Sequence, residues 1–219
     1  MQPITLWLFP EGPNPLKVLY VLEELSIPYE IKAIKGREVK QAPLIRLNPN
    51  GRVPVIEDPN HNLVLWESGA ILAYLVEKYD TDNSLTYTEG NEKYLVQQWL
   101  HFQTSGQGPY FGQASWFMRL HPEKVPSAIE RYVNEINRVL GVLESHLKDR
   151  EWLVGDKMTY ADMAFVPYNY ALHLLLKKPE TEVFGDYPNV AAWHERLISR
   201  TSWARAIEVR EALLQQQAV

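Results

Sequence analysis

The spacing of apolar and polar residues divides the 219-residue chain into a first part that mixes strand and helix patterns and a second part that is helical throughout. In the first part, ITLWLF (4–9) and YEIKAIK (29–35) have patterns typical of strands. LKVLYVLEELS, between them, spaces its apolar residues as one face of a helix does. VPVIED and LVLW, separated by the turn residues PNHN, predict a β-hairpin.

Two further patterns complete this first part. QAPLIRL predicts a short, proline-interrupted helical or irregular piece, and the residues over 67–79 predict a closing helix. The resulting order, β-α-β-(α)-β-β-α, predicts a small mixed sheet covered by helices over 1–80, with a right-handed βαβ crossover. The polar stretch over 81–91 lacks periodicity and is interpreted as a linker.

From Glu92 onward strand patterns almost vanish, which predicts an all-helical domain over 92–219. Its helical patterns cover 92–120, 123–148, 160–177 and, as a pair, the stretch between 187 and 214. GQGPYFGQASWF (106–117) holds three glycines and a proline inside a helical pattern and predicts a kink there. Thr159 and Asp162 are spaced as a capping box, a structural start for the next helix. The fold class is therefore α/β followed by all-α.

Composition excludes several classes of function. The net charge is -5 and no basic run is available to neutralise a row of phosphates, so nucleic acid is not an expected partner.

The N-terminal segment lacks a basic region and reaches Pro10 early, and no stretch approaches the ~18 apolar residues of a membrane span, so we expect a cytoplasmic protein. The six histidines are scattered without metal-ligand spacing, so no metal is expected. The chain has no cysteine, and any thiol chemistry must use a thiol of the substrate.

Two short stretches contain residues that could belong to a functional site, and each also has an ordinary structural explanation. In WESGAILAYL, Glu67 and Ser68 stand at the start of a helix, where such side chains commonly cap free backbone N–H groups. In NGRVPVIED, Val53 and Pro54 open a strand, where the proline is either an ordinary trans residue or the second residue of a cis peptide. The Val53–Pro54 stretch taken alone favours the ordinary trans proline, and the Glu67–Ser68 stretch taken alone favours neither alternative.

Four segments together carry a resemblance to a known family. With them the chain resembles the cytosolic glutathione transferases, in particular the fungal class of the nitrogen-catabolite regulator and its bacterial disulfide-reductase relatives. The segments are PNPLKV (13–18), NPNGRVPVIED (48–58), ESGAILAYLVEKY (67–79) and WLHFQTSGQGPYFGQASWF (99–117). The resemblance implies a thioredoxin-like N-terminal domain that binds glutathione as co-substrate, followed by an all-helical domain.

The resemblance also implies a glutathione site. Ser68 and the helix start suit the α-carboxylate of the γ-glutamyl group, and Glu67 suits its ammonium group. A cis Val53–Pro54 peptide offers backbone hydrogen bonds to the cysteinyl part. Lys40, and as an alternative Arg52, would bind the glycyl carboxylate; each is otherwise an ordinary solvated charge.

The resemblance also implies a residue that contacts the glutathione sulfur. Residues 4–19 contain no Tyr, Ser or Cys, and Asn14 stands where the resemblance places a group that donates to the thiolate. The structural alternative is Asn14 as an N-cap with Pro15 after it. Gly12 departs from the relatives, which often have Thr or Ser there, and this puts the mode of thiolate activation in doubt.

An electrophile pocket is expected between the two domains, lined by Tyr110, Phe111 and Trp116 from the first long helix of the second domain, although for any single one of them core packing is the favoured explanation. The predicted function is a glutathione transferase that acts on a small apolar electrophile or peroxide. The alternatives are a glutathione-dependent disulfide reductase or peroxidase without protein cysteine, and a non-enzymatic regulator of nitrogen catabolism. The resemblance implies a homodimer.

Overall fold

The computed structural model describes residues 1–36 and 38–217, which form two compact units. The first unit comprises Met1–Ser84 together with the segment from Ser199 onward, and the second is Leu85–Ile198. The division by contacts thus assigns the last helix to the first unit, whereas the sequence-based boundary kept it in the helical domain. Within the described residues, no helix is long and apolar enough to cross a membrane.

The sheet of the first unit has the four strands that the sequence predicts, β1 (Ile4–Leu8), β2 (Tyr29–Ala33), β3 (Val55–Asp58) and β4 (Leu63–Trp66). Their order is β2-β1-β3-β4. β1 and β2 are parallel, β3 is antiparallel to β1, and β4 completes the hairpin with β3. This topology confirms the expected thioredoxin-like arrangement.

Ten helices accompany the strands in the described chain, and most match the predicted spans. They are α1 (Pro13–Glu24), α2 (Leu44–Leu47), α3 (Ser68–Tyr79), α4 (Glu92–Phe102), α5 (Gly108–Ser115), α6 (Pro126–Leu147), α7 (Tyr160–Tyr170), α8 (Leu172–Leu176), α9 (Pro188–Ile198) and α10 (Thr201–Gln217). Two π-helical turns, Gln103–Gln107 and Trp116–Leu120, overlap the two ends of the segment 106–117 in which a kink was predicted, and the residues between them form the regular helix α5.

Helix α1 forms the core of the first unit. Every residue from Pro15 to Leu22 is buried, because α1 packs against both α3 and α10 as well as the sheet. The Tyr20 ring meets the Trp203 ring of α10 edge-on, with 5.2 Å between centroids. Arg200 and Glu24 form an ion pair near the end of α1, where Arg200 Nε donates to Glu24 Oε2 over 3.0 Å.

The core of the second unit is organised around Asp162, which is fully buried on α7. Thr159 donates to Asp162 through its backbone N–H and its hydroxyl, both over 2.8 Å, and the predicted capping box is present. The other carboxylate oxygen accepts from the backbone N–H of Leu153 and from Trp193 Nε1, both over 2.9 Å. Four donors therefore hold one carboxylate at the start of α7.

Candidate functional site

A cleft of about 100 Å³ in the first unit collects most of the predicted site residues. It lies where the segment before β3 passes the starts of α1 and α3. Six of the predicted residues line it, namely Asn14, Arg52, Val53, Pro54, Glu67 and Ser68. Asn48 and Asn50, which the sequence reasoning did not single out, complete the lining.

The start of α3 has an unusual backbone conformation and no side-chain cap. Glu67 precedes the helix with φ 72° and ψ 114°, a conformation rarely adopted by a residue with a side chain, and no side chain caps the helix. Residues held in such regions cost about 1 to 3 kcal/mol and concentrate at functional sites. The structural alternative, that Glu67 and Ser68 serve as caps, is therefore not what the geometry shows.

Two residues of α1 approach the Ser68 hydroxyl. Ser68, which is only 6% exposed, faces the carboxamide oxygen of Asn14 at 3.5 Å, and Lys17 Nζ lies 3.4 Å from Ser68 Oγ. Asn14 is the second residue of α1, which begins at Pro13 with Gly12 at the N-cap, so Asn14 is not the cap. With its oxygen towards Ser68, the Asn14 amide group is the part of the side chain that can donate to a ligand.

Lys17 is a buried cation beside the cleft that the sequence reasoning did not single out. Its side chain is 1% exposed, and burial lowers its pKa from the ordinary 10.5 to about 7, against an opposing effect of the Glu67 carboxylate. A lysine is almost never buried in this way unless it has a partner or a function. The available signal was its position inside the apolar run PLKVLYVL, on a helix that is buried on all sides.

The loop before β3 is fixed by Asn48, which is 2% exposed. Its Nδ2 donates to the backbone oxygen of Arg52 over 2.7 Å, and its Oδ1 accepts from the backbone N–H of Asn50 over 2.9 Å. Gly51 completes the turn with φ 59°. The Val53–Pro54 peptide that follows is cis, as the resemblance implies.

The two cations proposed for the glycyl carboxylate occupy different positions. Arg52 is exposed and lines the cleft directly. Lys40 is also exposed but does not line the cleft. Its Nζ donates to the backbone oxygen of Asn50, a residue of the cleft lining, over 2.8 Å. The structure therefore places Arg52 in the cleft and Lys40 beside it.

The three predicted pocket aromatics have separate surroundings in the second unit. Phe111 is 2% exposed and meets Tyr168 edge-on at 6.1 Å. The Tyr110 ring lies 5.7 Å from the Arg138 guanidinium carbon, and Trp116 is 46% exposed, with its ring 6.4 Å from that of His121. Their role in an electrophile pocket stays a prediction.

The first unit, with its four-stranded sheet and a cis proline beside a helix start, is thioredoxin-like, and the second unit is helical. The model of the glutathione S-transferase N-terminal domain matches residues 2–77, and that of the C-terminal domain matches residues 109–201. The chain belongs to the glutathione S-transferase family. Within the described residues, no group of acidic or histidine side chains is arranged to hold a metal ion.

Individual relatives refine this assignment. A glutathione S-transferase-like protein of Aspergillus fumigatus, tpcF, is 47% identical over 209 residues, which cover 91% of this chain and 92% of that protein. The crystal structure of glutathione transferase URE2P8 from Phanerochaete chrysosporium with oxidized glutathione has a TM-score of 0.92 and 40% identity, covering 98% of both chains. Ure2p5 from the same organism, cocrystallized with 1-(S-glutathionyl)-2,4-dinitrobenzene, has a TM-score of 0.88 and 41% identity, covering 99% of this chain and 98% of that one. These similarities confirm the expected fungal Ure2p-type class.

Proposed function

We propose that the protein binds glutathione in the cleft and transfers its thiolate to small electrophilic molecules. The observation that carries this proposal is the convergence of Glu67, Ser68 and Asn14 on one cleft, together with a helix start that no side chain caps. The Ure2p5 relative, which was crystallized with an aryl conjugate of glutathione, supports the same reaction class.

Glutathione fits the charges of this cleft. The α-carboxylate of its γ-glutamyl group suits the Ser68 hydroxyl and the free backbone N–H groups of α3, and the Glu67 carboxylate suits its ammonium group. Lys17 lies behind Ser68 and, in its protonated form, adds positive charge on the carboxylate side. The backbone of Val53 is placed to pair with the cysteinyl part, and Arg52 or Lys40 with the glycyl carboxylate.

Transfer requires the sulfur as thiolate, because the thiolate is the nucleophile and a free thiol has a pKa of about 8.5. The Asn14 amide donates to the sulfur, and the partial positive charge at the start of α1 favours the anion. The thiol proton leaves to solvent. The sulfur then forms a bond to the electrophilic carbon, and the leaving group departs with its electron pair.

A second candidate is the reduction of disulfides or peroxides. The chain has no cysteine, so both thiols must come from glutathione. With a disulfide, one glutathione thiolate releases one substrate thiolate and forms a mixed disulfide, and a second glutathione thiolate attacks the glutathione sulfur, releases the other substrate thiolate and gives oxidized glutathione. With a peroxide, the first thiolate takes one oxygen to become the sulfenic acid while the other oxygen leaves as the alcohol, and the second thiolate displaces that hydroxyl as water to give oxidized glutathione. The URE2P8 relative, whose structure holds oxidized glutathione, favours keeping this candidate.

Three further expectations stay proposals. Tyr110, Phe111 and Trp116 would line the electrophile pocket, the protein would act in the cytoplasm, and two copies would form a homodimer. The oligomeric state is tested by light scattering, where a dimer has twice the 25.4 kDa of the chain. A mass equal to that of one chain would exclude the homodimer.

The function is tested by titration of glutathione into the wild type, Ser68→Ala and the control Ser84→Ala, which alters an exposed serine of the same unit. Each protein is then assayed with 1-chloro-2,4-dinitrobenzene, cumene hydroperoxide and a glutathione mixed disulfide. We expect binding and aryl transfer in the wild type and Ser84→Ala, and a loss of about tenfold in affinity in Ser68→Ala.

Two other results of these titrations and assays would favour the alternative functions. Binding with turnover of peroxide or disulfide alone would promote the second candidate. No binding at all would overturn both enzymatic readings and leave a regulatory role, to be pursued by identifying a protein partner.

A further inference from the structure

The loop before β3 holds two cleft residues whose side chains have no bonding partner in the protein. Asn50 and Arg52 both line the cleft, and both are exposed. Within residues 1–36 and 38–217, neither the Asn50 amide group nor the Arg52 guanidinium group makes a hydrogen bond or an ion pair. Both groups are therefore available to a ligand in the cleft.

The backbone around Asn50 is already held by contacts within the chain. Its N–H donates to Asn48 Oδ1 over 2.9 Å, and its carbonyl oxygen accepts from Lys40 Nζ over 2.8 Å. The N–H of the next residue, Gly51, donates to the backbone oxygen of Asn48 over 2.9 Å. Because this backbone is fixed before a ligand arrives, only the Asn50 side chain has to be ordered on binding, which reduces the entropic cost.

Lys40 runs along this loop and not into the cleft. Its ammonium group contacts the Asn50 carbonyl, and its stem passes over Gly51, where an added Cβ would lie 2.8 Å from Lys40 Cδ. Lys40 is also absent from the described residues that line the cleft. Moving its ammonium group to a ligand would remove the contact that holds Asn50. The geometry thus suits Lys40 to positioning the loop.

The other groups of the cleft are assigned to other parts of glutathione. The start of α3 takes the γ-glutamyl end, and the Val53 backbone pairs with the cysteinyl part. Asn48 uses its Nδ2 on the backbone oxygen of Arg52 and its Oδ1 on the N–H of Asn50. The glycyl carboxylate is then left with Asn50 and Arg52, an amide donor and a guanidinium group, both of which donate well to a carboxylate.

We propose that Asn50 and Arg52 together bind the free carboxylate at the glycyl end, and that Lys40 positions Asn50 without touching the ligand. This proposal rests on the proposed function, because it concerns the same cleft. It differs from the family resemblance, which prefers Lys40 for this carboxylate. It also defines a substrate class, namely peptide thiols with a negative charge at this end, and it disfavours their neutral derivatives.

Glutathione and glutathione amide, in which a neutral carboxamide replaces the glycyl carboxylate, test the proposal by calorimetric titration into the full-length protein. We expect the wild type to bind glutathione about tenfold more tightly than the amide, the usual effect of a charge-assisted hydrogen bond. Equal affinities would overturn this proposal and leave the proposed function standing. A wild type that binds neither compound would overturn the proposed function itself.

The variant Asn50→Ala/Arg52→Gln keeps Lys40 and so separates the two assignments. Its preference for glutathione over the amide should fall below about twofold. The matched control Arg46→Gln/Asn134→Ala changes the same residue types at exposed positions outside the cleft lining and should keep the wild-type preference. If Asn50→Ala/Arg52→Gln also kept that preference, another group would bind the carboxylate and the assignment would be refuted.

Lys40→Met tests the positioning role, because methionine keeps most of the apolar stem and removes the ammonium group. It should lower the preference for glutathione in the otherwise wild-type chain and leave it unchanged when added to Asn50→Ala/Arg52→Gln. No effect in the first case, or a further loss in the second, would exclude the positioning role. In amide-correlated NMR spectra, glutathione should shift the side-chain NH₂ signals of Asn50 more than glutathione amide does, and equal shifts would remove Asn50 from the subsite.

Discussion

The amino group of Lys17 lies 3.4 Å from the hydroxyl oxygen of Ser68, although the two residues are 51 positions apart and Lys17 has almost no exposed surface. The contact joins the buried face of α1 to the start of α3. It places a titratable cation directly behind the hydroxyl that we assign to the γ-glutamyl carboxylate. The charge state of Lys17 should therefore depend on whether an anion occupies the cleft.

Replacement of Lys17 by Met should weaken glutathione binding and change the proton balance of binding. Because the pKa of Lys17 is about 7 in the folded protein, part of the population is neutral at pH 7 to 8, and a bound carboxylate should raise this pKa and draw in a proton. Titrations of S-methylglutathione, which has no thiol proton to release, in two buffers of different ionisation enthalpy measure that uptake. Lys17→Met should abolish it, whereas Lys78→Met, at an exposed lysine of α3, should keep it. Wild-type binding without proton uptake across this range would contradict the assignment.

The same variant should alter stability with a defined pH dependence. Between pH 7 and 10.5 the unfolded chain holds a proton on Lys17 that the folded chain does not, so this group makes the free energy of unfolding rise with pH across that window. Lys17→Met should lack this rise and be more stable than the wild type by a few kcal/mol below pH 7, since one pKa unit equals about 1.4 kcal/mol. Urea titrations at pH 6 and 9 measure it; the stability advantage of the variant should shrink at pH 9.

Asn14→Ala should lower kcat more than it raises KM, because the amide is assigned to the sulfur and not to the ends of glutathione. We expect a fall of about 10²-fold in aryl transfer, the effect of losing one donor to a developing anion. Asn189→Ala is a matched control, since Asn189 is likewise the second residue of a helix that begins with proline, but its amide donates to Glu144 Oε1 over 2.6 Å. The control should lose stability and keep kcat. Equal rates in wild type and Asn14→Ala would remove Asn14 from catalysis.

Gly51→Ala should damage the cleft and the fold together. Gly51 has φ 59°, and an added Cβ would lie 2.8 Å from Lys40 Cδ and 3.0 Å from the backbone oxygen of Val39. We expect a loss of about 1 to 3 kcal/mol in the free energy of unfolding and weaker glutathione binding, because the turn positions Arg52 and Val53. Gly141→Ala, inside α6 with nothing within 4 Å, should stabilise by up to about 1 kcal/mol. An equally stable Gly51→Ala would show that the turn relaxes without cost.

Asp162→Asn should destabilise the helical unit without altering glutathione affinity. Three of the four groups that contact the carboxylate are N–H donors, and only the Thr159 hydroxyl could turn to accept, so in either orientation an asparagine NH₂ would face at least one N–H group that loses its acceptor. The expected loss is on the order of 3 kcal/mol. Thermal unfolding measures it against Asp82→Asn, at an exposed position, which should be neutral. A loss no larger than that of the control would mean that the capping network contributes little.

The strands and helices were predictable because each strand is a short apolar or alternating run bounded by turn residues, as in Ile4–Leu8 and the hairpin of β3 and β4, and the helices repeat their apolar residues every three to four positions. The motif residues Glu67 and Ser68 were also identified from the sequence. The left-handed backbone of Glu67 was not, because nothing in a glutamate indicates φ 72°. The sequence likewise could not show that α10 packs with the first unit, since an amphipathic helix does not specify which partner covers its apolar face.

Lys17 is the most important residue that could not be identified from the sequence. A lysine in a helical run is usually assigned to a solvated face, and only the packing of α1 against α3 and α10 shows that this one is enclosed. The position of Asn14 was predicted, but its place in the helix was shifted by two residues, because Pro13 and Pro15 are equally suitable first helical residues. Proline patterns locate a helix start without fixing its first residue.

The return of the chain from Ser199 onward makes the first unit discontinuous in sequence, with the helical unit inserted between residues 84 and 199. A fragment cut after residue 84 would contain every residue of the glutathione cleft but would lack Trp203 over Tyr20 and Arg200 beside Glu24. Its buried helix α1 would then present an apolar face to water. A minimal glutathione-binding protein would therefore be made by excising the insertion and rejoining its two flanks with a linker, not by truncation.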